Sequence, residues 1–269
     1  MTIEPTPRTV PGMAAAVAAF CGRGLVRPAN EDAVALDGRR VSDEHVHSEL
    51  LSHGEDHFVV VADGMGGHAK GNLASSLAVE RLNDEWATSR GKFDALKALR
   101  EANRHLYDAM ERQPGRAGMG ATVAGFHLSG HTVSWFNVGD SRLYLFRSGR
   151  LRQLSVDHVP RGDTSAGKPE RSHLVTQSLG GAFGFRDVWP AIGQEALLQG
   201  DVLLACSDGL TDPVPAGAIA DIIRSASSAG DCTGALVDAA TANGAPDNLS
   251  VVVVSLLSDS AHQAELTLR

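Results

Sequence analysis

The chain has 269 residues, of which 43% are hydrophobic and 21% are charged, a composition typical of a soluble globular protein. The formal net charge is −8, Lys and Arg are not clustered, and no apolar run approaches the roughly 18 residues that span a bilayer, so neither nucleic-acid binding nor a membrane span is expected. Cys21, Cys206 and Cys232 leave one thiol unpaired in any disulfide scheme, which favours reduced cysteines in a cytoplasmic protein.

Strands and helices alternate irregularly in the first half of the chain. A strand is predicted in AAVAAFCGRGLV, in preference to a secretory signal, after a short disordered tail over 1–14. The polar segment Arg39–Asp56 is predicted as a loop, and His57–Ala62 as a strand. Apolar residues at helical spacing predict helices over Leu73–Ser89 and Phe93–Met110.

Hydrophobic alternation with a period of two characterises the middle of the chain. It predicts strands in ATVAGFHL, HTVSWFNV and SRLYLFRS, which Gly-containing turns connect. A surface flap is expected near 159–172, a stretch rich in Gly, Pro and charge. A strand in ALLQGDVLLACSDG, helices over Ala216–Ser228 and Cys232–Asn243, and a buried strand over Leu249–Leu257 follow. This pattern indicates an α+β fold in which a β-sandwich is covered by helical hairpins.

Carboxylates recur where predicted strands begin or end. Each alone is typical of a turn, because Asp and Gly favour turns. If they converge, their oxygens are the ligands that hard cations such as Mg²⁺ and Mn²⁺ select. Two cations about 3.5–4 Å apart would neutralise such a cluster and activate a bridging water. The recurring sites are Arg27–Asp32, Asp63-Gly64, Gly139-Asp140, Asp208-Gly209 and Asp247-Asn248.

Several stretches resemble motifs of the metal-dependent protein serine/threonine phosphatases, the PPM or type 2C family, in its bacterial form. In chain order they are RPANED, VVVADGMGGHAKG, GATVAG, NVGDSRLYLFRSGRLRQLSVDH, LLACSDGLTD and GAPDNLSVVVV. The resemblance covers about residues 15–257. It implies a β-sandwich of two antiparallel sheets flanked by helical hairpins (four-layer αββα), formed as a single domain over 15–258 with a C-terminal tail over 259–269. It also implies hydrolysis of phosphoserine and phosphothreonine in proteins.

The resemblance implies that two Mn²⁺ or Mg²⁺ ions bind at the recurring carboxylates. Asp63 would bridge the two ions, and the Gly64 carbonyl would bind one of them. Asp208 and Asp247 would be the remaining protein ligands of the other ion. Asp140 matches the aspartate that family members use for a third, weaker metal ion.

Three residues of the RPANED run have implied supporting roles. Glu31 and Asp32 would hold metal-bound waters, and Arg27 would bind the substrate phosphate, since a guanidinium fits two phosphate oxygens at once. The implied nucleophile is a water that bridges two cations, so no phosphoenzyme is expected. The predicted catalytic set is therefore Arg27 and the three metal-binding aspartates Asp63, Asp208 and Asp247.

The sequence departs from the family pattern in four places. Val159 follows Asp157-His158 where a small hydroxyl residue is common. Met65 stands where some relatives carry a candidate general acid, and whether His68 takes that role is open. Asn72 replaces an acid expected in many bacterial relatives. The flap near 159–172 is shorter than in many relatives, so substrate recognition by the flap cannot be transferred.

The implied partners are phosphorylated proteins and a cognate serine/threonine kinase, and a monomer is expected. Two other functions stay open: a non-catalytic relative that binds or signals, and a phosphoesterase acting on small molecules. The full set of predicted ligands disfavours the first, whereas the metal-site sequence does not exclude the second. A nucleotide-binding loop in GMGGHAKG is disfavoured, because the stretch matches neither GxxxxGK[ST] nor GxGxxG.

Overall fold

The computed structural model describes residues 14–41, 44–51, 55–67, 69–89, 91–160 and 174–257. The predicted tails over 1–14 and 259–269 lie outside these ranges except for Ala14, and so does most of the predicted flap. Over the described ranges the strands pair in antiparallel fashion to form two sheets.

The first sheet has β13 near its centre, in the spatial order β4, β1, β13, β12, β8, β9. Val251–Val254 of β13 are buried, and alternate side chains pack on opposite faces of the sheet, which suits a run of β-branched residues. The strands of this sheet are β1 (Ala15–Gly22), β4 (His47–Leu51), β8 (Arg142–Arg147), β9 (Arg150–Gln153), β12 (Val202–Cys206) and β13 (Leu249–Leu256).

The second sheet has the order β11, β7, β6, β5, β2, β3, and the short strand β10 pairs with the start of β6. Its long central strands β5 and β6 are paired over nine residues of β5. The strands are β2 (Ala33–Leu36), β3 (Arg39–Val41), β5 (His57–Met65), β6 (Gly120–Ser129), β7 (Thr132–Val138), β10 (Leu179–Gly180) and β11 (Ala191–Ala196).

Helices cover the outer face of each sheet. The pair α1 (Ala69–Thr88) and α2 (Ala95–Arg112) packs on the second sheet, and the pair α4 (Ala216–Ser225) and α5 (Ala229–Ala242) packs on the first, beside the single-turn α3 (Asp208–Thr211). None of the helices in the described ranges combines the length and the apolar character needed to cross a membrane.

Three apolar layers hold the four layers of secondary structure together. Val59 and Phe126 lie between the two sheets, Phe58 and Leu106 lie between the second sheet and its helices, and Leu236 lies between the first sheet and its helices. This arrangement confirms the predicted αββα sandwich. It leaves the connections at one end of the sandwich free to form a site.

Two local predictions were wrong. The segment Arg39–Asp56 is not a continuous loop, because it contributes β3 and β4 to opposite sheets through pairing with β2 and β1. The strand predicted over His57–Ala62 continues to Met65, because Asp63 and Gly64 pair with residues of β6. β4 and the last residues of β5 pair with strands that are distant in the sequence, which a local pattern does not show. β3 instead follows β2 through the two-residue turn Asp37-Gly38, a local hairpin signal that the loop prediction missed.

Candidate metal centre

One cavity of about 550 Å³ collects the predicted site residues at the end of the sandwich. Asp63 and Gly64 enter it from β5, Asp140 follows β7, Asp208 follows β12, and Asp247 precedes β13. Seven of the eight predicted site residues line the cavity: Arg27, Glu31, Asp63, Gly64, Asp140, Asp208 and Asp247. The fold therefore brings together carboxylates that are far apart in the sequence.

Asp32 is the predicted site residue that does not line this cavity. It is buried behind the wall, where its Oδ2 accepts a hydrogen bond of 2.7 Å from the Ser250 hydroxyl. The backbone N–H of Asp32 donates to Oδ1 of Asn30 at 3.1 Å. Asp32 is therefore held in place from two sides before any ligand is considered.

Burial and mutual repulsion disfavour ionisation of these acids. Desolvation and the charges of Asp32, Asp208 and Asp247 raise the pKa of Asp63 well above its usual value. Burial likewise raises the pKa of Asp32 and of Asp208 to about 7, and it raises the pKa of Asp140. A cluster that cannot ionise fully by itself is one that positive charge would stabilise.

The donor chemistry of the cavity fits a hard divalent cation. Oδ1 of Asp208, in the cavity wall, and Oδ1 of Asp32, behind the wall, are buried and have no hydrogen-bond partner within the described part of the chain. The described wall contributes oxygen donors and no Cys or His, which suits Mn²⁺ or Mg²⁺ and disfavours zinc. The cavity offers suitable donor atoms but not a completed coordination shell. In the described ranges, no three His, Cys, Asp or Glu side chains are arranged so that they could hold one metal ion together.

Arg27 lies at the rim of the cavity and contacts a predicted metal ligand directly. Its Nη2 is 2.6 Å from Oδ2 of Asp247, and the two side chains are 50% and 33% exposed. The hydrogen bond with Asp247 raises the pKa of Arg27, so the guanidinium stays charged. A cation at the rim can hold an anionic group against the acidic wall.

Asn248 organises the loop that carries Arg27, and sequence reasoning did not single it out. Its Oδ1 accepts from the Glu31 N–H at 2.8 Å, and its Nδ2 donates to the carbonyls of Arg23 and Ala29 at 2.9 and 2.8 Å. These bonds join the segment before β13 to both ends of the loop. Its position directly after Asp247 was the only local signal.

Glycines let several backbone segments meet behind the cavity. A Cβ on Gly64 would lie 2.1 Å from the Gly71 carbonyl oxygen and 2.5 Å from that of Glu31. A Cβ on Gly209 would lie 1.9 Å from the Asn248 carbonyl oxygen. The glycines directly after Asp63 and Asp208 therefore provide space for main-chain packing.

The departures from the family pattern have different structural outcomes. Met65 lines the cavity and offers no proton to a leaving group. Asn72 donates from Nδ2 to the Asn30 carbonyl at 3.0 Å, which supports the same loop as Asn248. His68 lies outside the described residues, so its predicted role stays open.

Comparison with known sequences finds relatives that are named as phosphatases. The family model described as Protein phosphatase 2C matches residues 32–164. The serine/threonine protein phosphatase PstP of Mycobacterium tuberculosis is 32% identical over 254 residues, which cover 89% of this chain and 45% of PstP. The serine/threonine phosphatase stp of Listeria welshimeri is 33% identical over 213 residues, which cover 73% of this chain and 83% of stp. The chain thus spans less than half the length of PstP.

Solved structures resemble the whole sandwich. The catalytic domain of PstP, whose crystal structure is in complex with two manganese ions, superposes with a TM-score of 0.72 at 30% identity, over 91% of this chain and 100% of that domain. The serine/threonine phosphatase of S. agalactiae superposes with a TM-score of 0.74 at 25% identity, over 90% and 99% of the two chains. With its acidic cavity, its αββα fold and these relatives, the chain belongs to the protein phosphatase 2C family.

Proposed function

We propose that this chain hydrolyses phosphoserine and phosphothreonine in proteins with the help of Mn²⁺ or Mg²⁺. The observation that carries the proposal is the convergence of Asp63, Asp208, Asp247 and Arg27 on one acidic cavity. The relatives PstP and stp are named serine/threonine phosphatases. The crystal structure of the catalytic domain of PstP is in complex with two manganese ions.

Each predicted site residue has a proposed place in this chemistry. Asp63, Asp208, Asp247 and the Gly64 carbonyl would hold two ions, and Asp140 a third, weaker one. When bound, such ions supply a water of lowered pKa and neutralise the charge of a phosphoryl group.

Arg27 is proposed to orient the phosphate at the rim, and Glu31 and Asp32 to orient water. The described wall contains no Cys or His that could act as a nucleophile, and the Thr122 hydroxyl is engaged with Ser141 at 2.7 Å. This supports direct attack by water, without a phosphoenzyme.

The purified chain is expected to hydrolyse an aryl phosphate and a phosphothreonine peptide in the presence of Mn²⁺, and excess chelator should abolish both activities. The reason is that Arg27 is the only cationic side chain among the described residues that line the acidic cavity. Turnover of neither substrate with Mn²⁺ would contradict the proposal and favour a non-catalytic relative. Turnover of the aryl phosphate alone would favour a small-molecule phosphoesterase.

Replacing Arg27 with Ala is expected to raise KM for the aryl phosphate about tenfold or more while lowering kcat less. A charge-assisted hydrogen bond contributes on the order of 1.5–3 kcal/mol, and a contact made mainly in the ground state is expressed in KM. Steady-state kinetics would measure both constants. Arg39→Ala is the matched control, because Arg39 is also a partly exposed arginine paired with a carboxylate, that of Glu49, away from the cavity. An unchanged KM in Arg27→Ala would exclude the phosphate-binding role.

The proposed setting is a cytoplasmic monomer that acts on phosphorylated proteins and opposes a cognate serine/threonine kinase. The three cysteines are free and buried, as expected for a chain in a reducing compartment. A comparison of the phosphoproteome with and without the protein would identify the substrates.

A further inference from the structure

Three large aromatic side chains are exposed together in the segment between β10 and β11. Phe183, Phe185 and Trp189, here called the aromatic patch, are 93%, 52% and 69% exposed. Scattered apolar residues on a surface need no explanation, but a cluster of aromatic side chains on one short segment is typical of an interaction surface. The proposed chemistry in the acidic cavity does not use them.

The segment that carries the aromatic patch is anchored to the fold at both ends. Asn103, buried in α2, accepts from the Gly180 N–H at 2.9 Å and donates to the Arg186 carbonyl at 2.8 Å. Gln177 and Trp189 exchange two hydrogen bonds, with Trp189 N–H donating to Oε1 at 2.8 Å and Nε2 donating to the Trp189 carbonyl at 3.2 Å. These bonds hold the exposed rings on a defined backbone, so binding there would cost less ordering entropy.

Two of the rings also have defined neighbours. Phe185 packs edge-on against Tyr107 of α2, with ring centroids 5.1 Å apart. The guanidinium carbon of Arg100 lies 6.0 Å from the centroid of the Trp189 ring. Phe183 is the most exposed large apolar side chain of the described residues. The patch therefore has two supported rings and one that extends into solvent.

The segment that carries the aromatic patch passes close to the wall of the acidic cavity. The Gly181 N–H donates to the Met119 carbonyl at 2.8 Å, and a Cβ on the cavity residue Gly66 would lie 3.1 Å from Cα of Met119. Phe183 is two residues beyond Gly181, so it lies within roughly 15 Å of that wall along the backbone. An extended peptide spans this distance in about four or five residues.

We propose that the aromatic patch is a docking surface for the substrate polypeptide that flanks the phosphorylated residue. The patch would bind an aliphatic or aromatic side chain that lies about four or five residues from the phosphorylated residue in the substrate sequence. This inference rests on the proposed phosphatase function of the cavity. The short backbone path from the patch to the cavity wall is what favours the substrate chain as the occupant. Three side chains also offer much less than the roughly 800 Å² per partner that a stable dimer buries.

The test compares the intact chain with the double variant Phe183→Ala/Trp189→Ala in Mn²⁺. The substrates are an aryl phosphate and phosphothreonine peptides that differ only in having Phe or Ser four residues before, or four residues after, the phosphothreonine. The unaltered chain is expected to prefer one Phe peptide over its Ser partner about tenfold in kcat/KM, as apolar contacts allow. The double variant should lose this preference and keep its rate on aryl phosphate.

Leu198→Ala is the matched control, since Leu198 is 56% exposed and lies in the β11–β12 connection, near the end of β13 that is remote from the cavity. It should keep the preference for the Phe peptide. The single variant Phe183→Ala should lose part of it, and the aryl phosphate rate reports that each variant is folded.

The inference is overturned if the unaltered chain shows no preference or if the double variant retains it. It is also overturned if sedimentation shows that the unaltered chain and the Leu198→Ala control are dimers and that the double variant is a monomer. Absence of aryl phosphate turnover in the unaltered chain would instead refute the proposed function on which the inference rests.

Discussion

Asp208→Asn is expected to lower kcat/KM for Mn²⁺-dependent aryl phosphate hydrolysis about 1,000-fold, equivalent to roughly 4 kcal/mol of transition-state stabilisation. Asp208 lies at the start of α3, and its buried Oδ1 has no hydrogen-bond partner among the described residues. Asn has nearly the same shape but no negative charge, so it would weaken the proposed metal binding at this position without leaving a cavity. Steady-state kinetics over a range of Mn²⁺ concentrations would measure the loss.

Thermal unfolding separates this effect from misfolding. Without metal the variant should be at least as stable as the unaltered chain, because burial, together with the charges of neighbouring acids, raises the pKa of Asp208 to about 7, and Asn removes the cost of burying that charge. With Mn²⁺ the unaltered chain should gain more in Tm than the variant. Asp221→Asn, at an exposed position in α4, should change neither activity nor the response to Mn²⁺. Activity within tenfold of the unaltered chain in Asp208→Asn would remove Asp208 from the catalytic set.

Gly64→Ala should both destabilise the fold and abolish most of the activity. The added Cβ would lie 2.1 Å and 2.5 Å from two backbone oxygens, those of Gly71 and Glu31, and backbone atoms cannot rotate away as a side chain can. Overpacking of this kind costs about 1–3 kcal/mol of folding free energy. Displacement of the neighbouring Asp63 by even 1 Å would lower turnover on the order of 100-fold.

Denaturant unfolding and aryl phosphate kinetics would test both parts of the Gly64→Ala prediction. Gly234→Ala is the control, and its expected effect on stability has the opposite sign, because Gly234 lies inside α5 and a Cβ there meets nothing within 4 Å. Ala in an open helical position should raise the stability by up to about 1 kcal/mol and leave the activity unchanged. Normal stability and activity in Gly64→Ala would show that the backbone contact at Gly64 is not required.

Local periodicity predicted the strands and helices that carry strong patterns, and it missed the weak ones. The buried run of β13 and the amphipathic stripe of α2 were predicted to within a few residues, because their side chains meet the same environment along the whole element. The short strands β3 and β4 contain a single fully buried residue, Leu51, so their composition is that of a loop. Only pairing with β2 and β1 makes them strands.

The aromatic patch and Asn248 show a different limit. Asn248 has four described hydrogen bonds, three of which reach residues more than 200 positions away, and a sequence window cannot show that distance. Phe183, Phe185 and Trp189 look like core residues in the sequence, since apolar side chains are usually buried. Their exposure became evident only when the segment was placed against α2.

The amino-acid sequence by itself determined the fold class and the candidate residues of the site, because hydrophobic period, turn chemistry and short motifs are local properties of the chain. Only the tertiary structure decided which of those residues meet. It buried Asp32 behind the cavity wall and placed Arg27 against Asp247 across 220 positions of sequence. It also raised the pKa of Asp63, first by burying this residue and then by placing other acids around it. Burial and Coulomb interactions depend on distance in space, and that distance is set by how the two sheets pack.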